Sequence, residues 1–281
     1  MRKIFLFYFV LFGVFLFAQE KTKIIDKTKY IVTYSFRYQK DSTSKVYRES
    51  TKLLLGKKSS LFQSVNGMFN DSLLYANKSI IKSGDVTSFG IASALSERKK
   101  TSLKYKIHKQ NNKITTYDVM YYDKYLYREE TFFKWQITSD TLTINTYKCN
   151  KAIATFSGRE YVAWFSREIP ISDGPYKFNG LPGLILKIYD NKNQFTFEMQ
   201  SFIKKEKDIV LYEDVFTSIG KRQEVTKQEY FKAIKTYKKD PISYKLNHGE
   251  IFHDNNREIR YRQIEESANR YKSNPIELII E

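Results

Sequence analysis

Two histidines near the C-terminus are the residues that come nearest to a metal-dependent hydrolytic site. His248 and His253 have four residues between them, Glu250 is one of these, and Asp254 follows directly. Zinc sites of the HExxH type have only three residues between the histidines, so that both rings lie on one helical face. The longer spacing separates the rings, and polar turn residues with Asp254 as a helix N-cap explain the same pattern. No metal or cofactor is predicted; a metal-dependent hydrolase using His248, Glu250 and His253 is the alternative function.

A pair of aromatic residues flanked by charges is the second candidate site. Trp164 and Phe165 are preceded by Arg159 and followed by Arg167 and Glu168. The pattern favours a buried tryptophan with ion pairs that hold the strand ends. The alternative is a polar cleft beside exposed aromatic rings, which recognises a peptide, a glycan or a lipid head group. We take all five residues as candidate ligand-binding residues.

Other catalytic signals are weak in this sequence. Cys149 is the single cysteine, so no intrachain disulfide can form, and no base or helix N-terminus lies near it to activate the thiol. We expect a buried core cysteine. The sequence contains no G-x-S-x-G elbow, no phosphate-binding P-loop and no G-x-G-x-x-G turn. These absences favour a non-catalytic protein.

The N-terminus has the features of a secretory signal peptide. Arg2 and Lys3 precede residues 4–17, which are apolar except for Gly13, and the small residue Ala18 follows. As a helix this run would span roughly 21 Å, less than the ~30 Å hydrocarbon core. The interpretation is a signal peptide over residues 1–18 and one β-rich domain over 19–281. The mature protein is then exported to the periplasm or the cell surface, without a transmembrane span.

The positive charge of the chain is scattered along its length. Lys and Arg total 48 against 31 Asp and Glu, a formal net charge of +17. A strongly basic chain often binds nucleic acid, but export excludes that partner here. Solvated lysines on strands and turns explain the charge, and attraction to an anionic envelope surface is the alternative.

Alternating aromatic residues indicate that most of the chain is β-sheet. The sequence contains 22 Tyr and 21 Phe, and one strand carries apolar side chains at every second position, at Tyr30, Val32, Tyr34, Phe36 and Tyr38. Further strands are predicted at residues 46–55, 59–65, 102–108, 113–122, 125–133, 136–137, 142–147, 152–156, 161–166, 184–189 and 195–199. Residues 66–100 are the least regular part, read as an insertion with a short helix near 89–95.

Two helices are predicted near the C-terminus. Thr226 and Glu229 have capping-box spacing, and Tyr230, Ile234 and Tyr237 then follow at helical intervals before Pro241 ends the helix. A second helix is expected over residues 254–272. The predicted fold class is mainly β (α+β): a large antiparallel sheet, curved or of half-barrel form, with a few helices.

A stretch dense in glycine and proline requires a specific backbone path. Residues 173–183 contain three glycines and two prolines, and an apolar strand follows. Pro182 and Gly183 predict a type II turn, in which Gly183 adopts positive φ. The stretch is predicted to be a structural corner that leads residues 184–189 into the covered part of the sheet. Its motif residues are Gly174, Pro175, Gly180, Leu181, Pro182, Gly183, Leu184 and Ile185.

Gly180 to Ile185 read GLPGLI, and the surrounding pattern resembles the GLPGLI family of exported Bacteroidetes-type proteins. The similarity also covers Tyr147-x-Cys149-x-Lys151-Ala152, Gly158-Arg159-x-Tyr161-x-Ala163-Trp164, Glu168-Ile169-Pro170-Ile171 and the closing Asn274-Pro275-Ile276-Glu277-Leu278. This resemblance implies an exported protein without an assigned activity or catalytic residues.

The favoured function is therefore a non-catalytic binding or carrier protein of the periplasm or envelope. Its aromatic content suggests a curved sheet that holds a hydrophobic or peptidic ligand, by analogy with half-barrel lipoprotein carriers. The predicted partners are an envelope lipid, a peptide or an outer-membrane protein, and nucleic acid is excluded.

Overall fold

A computed structural model describes residues 23–39, 45–78, 96–120, 123–212, 222–247, 258–259, 261–262, 264–265 and 276–277. The predicted signal peptide, the predicted helix near 89–95, the three candidate metal ligands and most of the predicted C-terminal helix lie outside these residues.

Thirteen strands form one sheet. Their bounds are β1 Lys23–Gln39, β2 Val46–Gly56, β3 Ser59–Ser64, β4 Lys106–Gln110, β5 Lys113–Met120, β6 Asp123–Glu130, β7 Gln136–Ile144, β8 Tyr147–Phe156, β9 Arg159–Ser166, β10 Leu184–Asp190, β11 Phe195–Lys204, β12 Asp208–Leu211 and β13 Gln223–Glu224. The order is β13-β6-β5-β4-β3-β2-β1-β11-β10-β9-β8-β7, and β12 pairs with the start of β1. Neighbouring strands are antiparallel except β13, which runs parallel to β6. The predicted mainly β class is confirmed.

The sheet must curve strongly, because its two ends are joined by a short connection. In the sheet order, β6 and β7 are ten strand spacings apart, which is about 48 Å in a flat sheet. Residues 131–135 alone connect them, and this length reaches at most roughly 20 Å. The two ends therefore approach each other around a common interior. We call the side of the sheet that faces this interior the inner face, and the opposite side the outer face.

Alternation along the strands decides which side chains fill the interior. On β1, Tyr34 and Phe36 are buried on the inner face, whereas Ser35 and Arg37 are half-buried on the outer face. The ring of Phe36 stacks on that of Phe197 in the neighbouring β11, with 4.1 Å between centroids. Such cross-strand aromatic pairs stabilise the sheet beyond the area that they bury.

Three helices have both ends within the described ranges: α1 Val65–Ala76, α2 Lys227–Lys239 and α3 Pro241–Asn247. The predicted capping box of α2 is confirmed, with Thr226 and Glu229 each bonded to the other's backbone. Tyr230, Ile234 and Tyr237 of α2 are buried in a cluster with side chains of β5 and β6. Since α2 and α3 are close to the C-terminus, the predicted placement of helices there is also confirmed for this part of the chain.

Two helices were missed by the sequence analysis. Helix α1 occupies part of the predicted irregular region, and its N-cap is Ser64, whose side chain accepts a hydrogen bond from the Gly67 amide. Glycine, asparagine and aspartate in this segment have low helix propensity, so the helix depends on its packing against the sheet. Helix α3 begins directly at Pro241, which the sequence analysis treated only as a stop. Proline is also well suited to the first position of a helix.

Candidate functional site

The structure places Arg159, one of the five predicted ligand-binding residues, inside the fold. Its side chain is on the inner face and 7% exposed. The guanidinium lies 3.3 Å from a carboxylate oxygen of the fully buried Asp190 and donates to Gln194 Oε1 at 3.1 Å. The other Asp190 oxygen accepts from the Phe195 amide at 2.7 Å. Arg159 therefore joins β9 to the β10–β11 turn.

The other four predicted residues do not share one surface. Phe165 is fully buried on the inner face, whereas its neighbour Trp164 is half-buried on the outer face. Arg167 and Glu168 are exposed; the Arg167 guanidinium lies 5.9 Å from the Phe165 ring centroid, and Glu168 accepts from the Lys148 amide at 2.8 Å. Because adjacent strand residues point to opposite faces, Trp164 is the member of the set that lines an open groove.

Cys149 is a buried thiol, as predicted. It is 0% exposed, and burial raises the pKa of the thiol to about 11. The thiol is therefore protonated near neutral pH and is a poor nucleophile. Within the described ranges, no group of three histidine, cysteine or carboxylate side chains is arranged to hold a metal ion. His248, Glu250 and His253 lie outside these ranges.

The interior of the curved sheet is filled by the chain itself. The connection between β9 and β10, residues 167–183, crosses the inner face, and we call it the inner segment. On one side Lys109 of β4 pairs with the Asp173 carboxylate and donates to the Gly174 carbonyl at 2.7 Å. On the other side the Phe178 ring packs against Tyr161 of β9, with 4.7 Å between centroids. The segment thus contacts strands from both halves of the sheet.

Four charged side chains form what we call the inner cluster: Lys177, Lys227, Glu129 and Glu277. Lys177 is fully buried; its ammonium pairs with Glu129 and lies 2.5 Å from Glu277 Oε1. Lys227 of α2 lies 2.7 Å from an oxygen of each carboxylate. Two cations and two carboxylates make this cluster neutral overall.

Burial and neighbouring charges shift the pKa values of the inner cluster in opposite directions. Burial alone would raise the pKa of Glu277, but the ammonium groups of Lys177 and Lys227 outweigh it and lower the pKa to about 2. Burial alone would lower the pKa of Lys177, and Glu277, Tyr127 and Glu129 reverse this, so that its pKa is raised. Both groups are therefore charged near neutral pH. Burial raises the pKa of Tyr127, whose hydroxyl lies 3.0 Å from Lys177 Nζ, to about 12.

The predicted type II turn at Pro182 and Gly183 is wrong. Positive φ occurs at Gly180 (+90°), whereas Gly183 has no positive φ. Gly183 is required for a different reason: a Cβ at this position would lie 2.1 Å from the Ser166 carbonyl oxygen. The chain therefore needs glycine at Gly183 because two backbone segments approach closely where the inner segment enters β10.

On the outer face, side chains from several strands form an open groove with a volume of about 620 Å³. We call it the outer groove, and its lining includes Arg37, Arg48, Trp164, Lys187, Tyr189 and Glu198. Trp164 of β9 lies opposite Lys187 of β10, and Tyr189 is two residues further along the same strand. The groove thus presents two aromatic side chains close together beside three cations.

The charges of the outer groove do not balance. Lys187 lies 3.4 Å from its cross-strand partner Glu198. Arg37 donates to two uncharged acceptors, Thr196 Oγ1 at 3.1 Å and the Asn193 carbonyl at 3.5 Å. Three cations against one carboxylate make the lining of this groove cationic.

Sequence reasoning missed most residues of both regions. Arg37, Lys187 and Tyr189 occupy the outward positions of strands that were predicted correctly, so the alternation contained a signal for them. Lys177 and Glu277 are 100 positions apart in the sequence, and no local pattern connects them. Lys177 lies within the glycine- and proline-rich stretch, and Glu277 belongs to the closing motif at residues 274–278.

The glycine- and proline-rich part of the chain matches a family model. Residues 157–187, which include the GLPGLI hexapeptide, match a family model described as a protein of unknown function (Porph_ging). This match covers less than half of the chain, and membership of the GLPGLI family stays a prediction. No sequence match is found among curated proteins.

Several solved structures are similar to part of the chain. Two crystal forms of PNGF-II share 14% identity over 74% of this chain, with TM-scores of 0.46 and 0.45. The match spans 32% of the PNGF-II chain, so this chain corresponds to about a third of its length. An uncharacterized conserved protein from Thermus thermophilus shares 8% identity, with 71% of this chain and 91% of that chain covered and a TM-score of 0.33.

A LolA superfamily protein from Nitrosomonas europaea shares 10% identity. The match covers 63% of this chain and 86% of that chain, with a TM-score of 0.26. At these values the similarities carry no argument about function. None of the helices in the described ranges has the length and apolar content that crossing a bilayer requires.

Proposed function

We propose that this chain is an exported, non-catalytic binding protein of the periplasm or cell surface, and that its ligand is a peptide held in the outer groove. The observation that carries this proposal is the groove of about 620 Å³ with Trp164 and Tyr189 beside a cationic lining. Sites for small ligands and peptides commonly combine aromatic walls with a few polar groups that set orientation.

The inner face is a poorer candidate for ligand binding. Its aromatic surface, which would suit a hydrophobic ligand, is covered by Ile169, Tyr176, Phe178 and Leu181 of the inner segment. A ligand would have to displace these side chains and break the contacts of Lys109 and Lys177. The predicted hydrophobic ligand therefore has less support than the peptidic one.

The absence of a visible reaction centre in the described part of the chain also favours binding over catalysis. Cys149 is buried, and the inner cluster is neutral and covered by protein. Among the described lining residues of the groove, the one carboxylate, Glu198, pairs with Lys187.

Selective capture of envelope peptides tests this function. Immobilised protein spanning residues 19–281 is incubated with a proteolytic digest of envelope proteins and, separately, with envelope lipids. We expect the wild type to retain a set of peptides that the Trp164→Ala, Tyr189→Ala double variant does not retain. Phe132→Ala, which removes an exposed aromatic side chain outside the groove, is the matched control. Equal peptide sets on all three proteins, or retention of lipids alone, would overturn the proposal.

A further inference from the structure

Two arginines face each other across the first hairpin of the sheet. Arg37 of β1 and Arg48 of β2 are directly paired in the antiparallel register. Both side chains line the outer groove. Like charges directly opposite each other on neighbouring strands are destabilising, so folding alone gives no reason for this pair.

The described surroundings do not neutralise the pair. In the part of the chain that the structure describes, neither Arg37 nor Arg48 has a carboxylate within ion-pair distance. Arg37 is held by the Thr196 hydroxyl and the Asn193 carbonyl, both uncharged, and Arg48 is exposed. The carboxylate in the groove lining, Glu198, pairs with Lys187. Two adjacent guanidinium groups are therefore open to an anion from solution.

We propose that Arg37 and Arg48 form a carboxylate subsite of the outer groove, so that the ligand is an acidic peptide. This inference rests on the proposed function and specifies its ligand class. Guanidinium groups bind carboxylates through paired, charge-assisted hydrogen bonds, and Arg37 is already oriented by its two neutral acceptors. A bound carboxylate would also relieve the repulsion between the two arginines.

The sheet geometry sets the spacing of the ligand groups. Trp164 on β9 is in line with Ser35 on β1, three strand spacings or about 14 Å away, and Arg37 lies two residues further along β1. The separation is therefore about 16 Å, and an extended peptide covers about 3.3 Å per residue. The acidic side chain is expected about four to five residues away from the residue that contacts Trp164.

A membrane surface fits these observations less well. Adsorption to anionic lipids uses many lysines and arginines spread over a surface. Here the cationic excess lies in a concave groove, and the third cation, Lys187, is paired with Glu198. A single anion subsite formed by two neighbouring arginines, in a groove that also contains aromatic side chains, suits a peptide carboxylate.

Intrinsic fluorescence provides the test, because the chain has two tryptophans. Trp135 donates to the Asn179 carbonyl of the inner segment at 2.8 Å, whereas Trp164 lines the groove. The probe is an acetylated and amidated hexapeptide with Glu at position 1, Phe at position 5 and Ser elsewhere. Its partner probe has Gln at position 1. Both are titrated into the full mature chain, and Trp164→Phe establishes that the emission change comes from the groove.

We expect the Glu peptide to bind roughly tenfold more tightly than the Gln peptide. Arg48→Gln should remove this difference, and Arg48→Lys should restore only part of it because lysine cannot form the paired contact. Arg98→Gln removes the same charge from an exposed position outside the groove and should leave both affinities unchanged. Circular dichroism spectra that superimpose with wild type confirm that each variant is folded.

The outcomes separate the two proposals. Equal binding of the Glu and Gln peptides would overturn the carboxylate subsite and leave the peptide groove standing. No Trp164 emission change with either peptide would overturn both. An equal loss of affinity in Arg98→Gln and Arg48→Gln would show a net-charge effect and overturn the subsite. Binding to phosphatidylglycerol vesicles that depends on Arg48, with no peptide binding, would assign the arginines to a membrane.

Discussion

The inner cluster and the outer groove contain the same kinds of side chain in opposite arrangements. In the inner cluster, Lys177 is fully buried and each of its carboxylate partners also contacts Lys227. In the outer groove, Arg37 and Arg48 face each other, and the carboxylate of the groove, Glu198, pairs with Lys187. Buried charges are tolerated only when they are paired, whereas charges in contact with water can remain unpaired. The paired region is therefore suited to holding the fold, and the unpaired one to binding.

The largest expected effect comes from unpairing the inner cluster. Lys177→Met should reduce the free energy of unfolding by about 3–5 kcal/mol, because two carboxylates are left in the interior with one cation between them. Lys187→Met removes the same charge from the groove, where the pair is 3.4 Å apart and partly exposed, and should cost at most about 1 kcal/mol. Urea unfolding of both variants measures the difference. Similar losses would contradict the contrast between the two regions.

Lowering the pH should remove the stabilising charge of Glu277 in the inner cluster over a defined pH range. The pKa of Glu277 in the folded protein is about 2, against an ordinary value of 4.5. Because the folded value is the lower one, the contribution of Glu277 is complete above about pH 4.5 and is lost as the pH falls towards 2. A depression of this size corresponds to about 3 kcal/mol.

The comparison of wild type with Glu277→Gln isolates this effect from other carboxylates. The difference in unfolding free energy between the two proteins should be largest above pH 4.5 and should shrink as the pH is lowered to 2. A difference that is constant with pH would show that Glu277 contributes through packing rather than through its charge.

The inner segment can be tested through its two hexapeptide glycines. Gly183→Ala should destabilise the protein by about 3 kcal/mol, because the new Cβ would meet the Ser166 backbone at 2.1 Å. Gly180→Ala should cost about 1 kcal/mol, since only the positive φ opposes it and the nearest atom, on Trp135, is 3.8 Å away. Thermal unfolding measures which of the two variants is less stable. The reverse order would mean that backbone conformation, and not close approach, is the stronger constraint.

The smallest effect should have the opposite sign. Arg48→Thr removes the repulsion with Arg37 and introduces a residue that favours strands, so the unfolding free energy should rise by about 0.2–1 kcal/mol. Gln136→Thr, at another exposed strand position, controls for strand propensity alone. A loss of stability in Arg48→Thr would show that this arginine supports the fold, and would weaken its assignment to binding.

Local sequence patterns were sufficient to predict those elements that depend mainly on neighbouring residues. The alternation on β1 correctly identified its buried aromatic face, and the Thr226–Glu229 capping box correctly located the start of α2. Helix α1 was missed because its glycine, asparagine and aspartate residues have low helix propensity and the segment shows little helical periodicity. The turn at Pro182 and Gly183 was misread because a close backbone contact and a positive φ both call for glycine, and the sequence does not distinguish them.

Prediction of the candidate site requires the strand register, whereas prediction of the strands and of α2 does not. Trp164, Phe165 and Arg159 were proposed together from residue type and neighbours, yet Phe165 and Arg159 lie on the inner face and Trp164 on the outer face. The pairing of Arg37 with Arg48 follows from the register of a hairpin, and a shift by one residue would have sent one of the two side chains inside. Only the paired strands decide which side chains meet.

The sequence by itself determined the strand-rich composition, the outward and inward positions along β1, the capping of α2 and the need for glycine at the hexapeptide. These depend on neighbouring residues and on backbone conformation. Tertiary structure alone decided that residues 167–183 fill the curved sheet, that Glu277 reaches Lys177, and that two arginines share a groove. Such contacts join residues far apart in the chain, and their energies depend on burial and register that arise only when the sheet curves around its core.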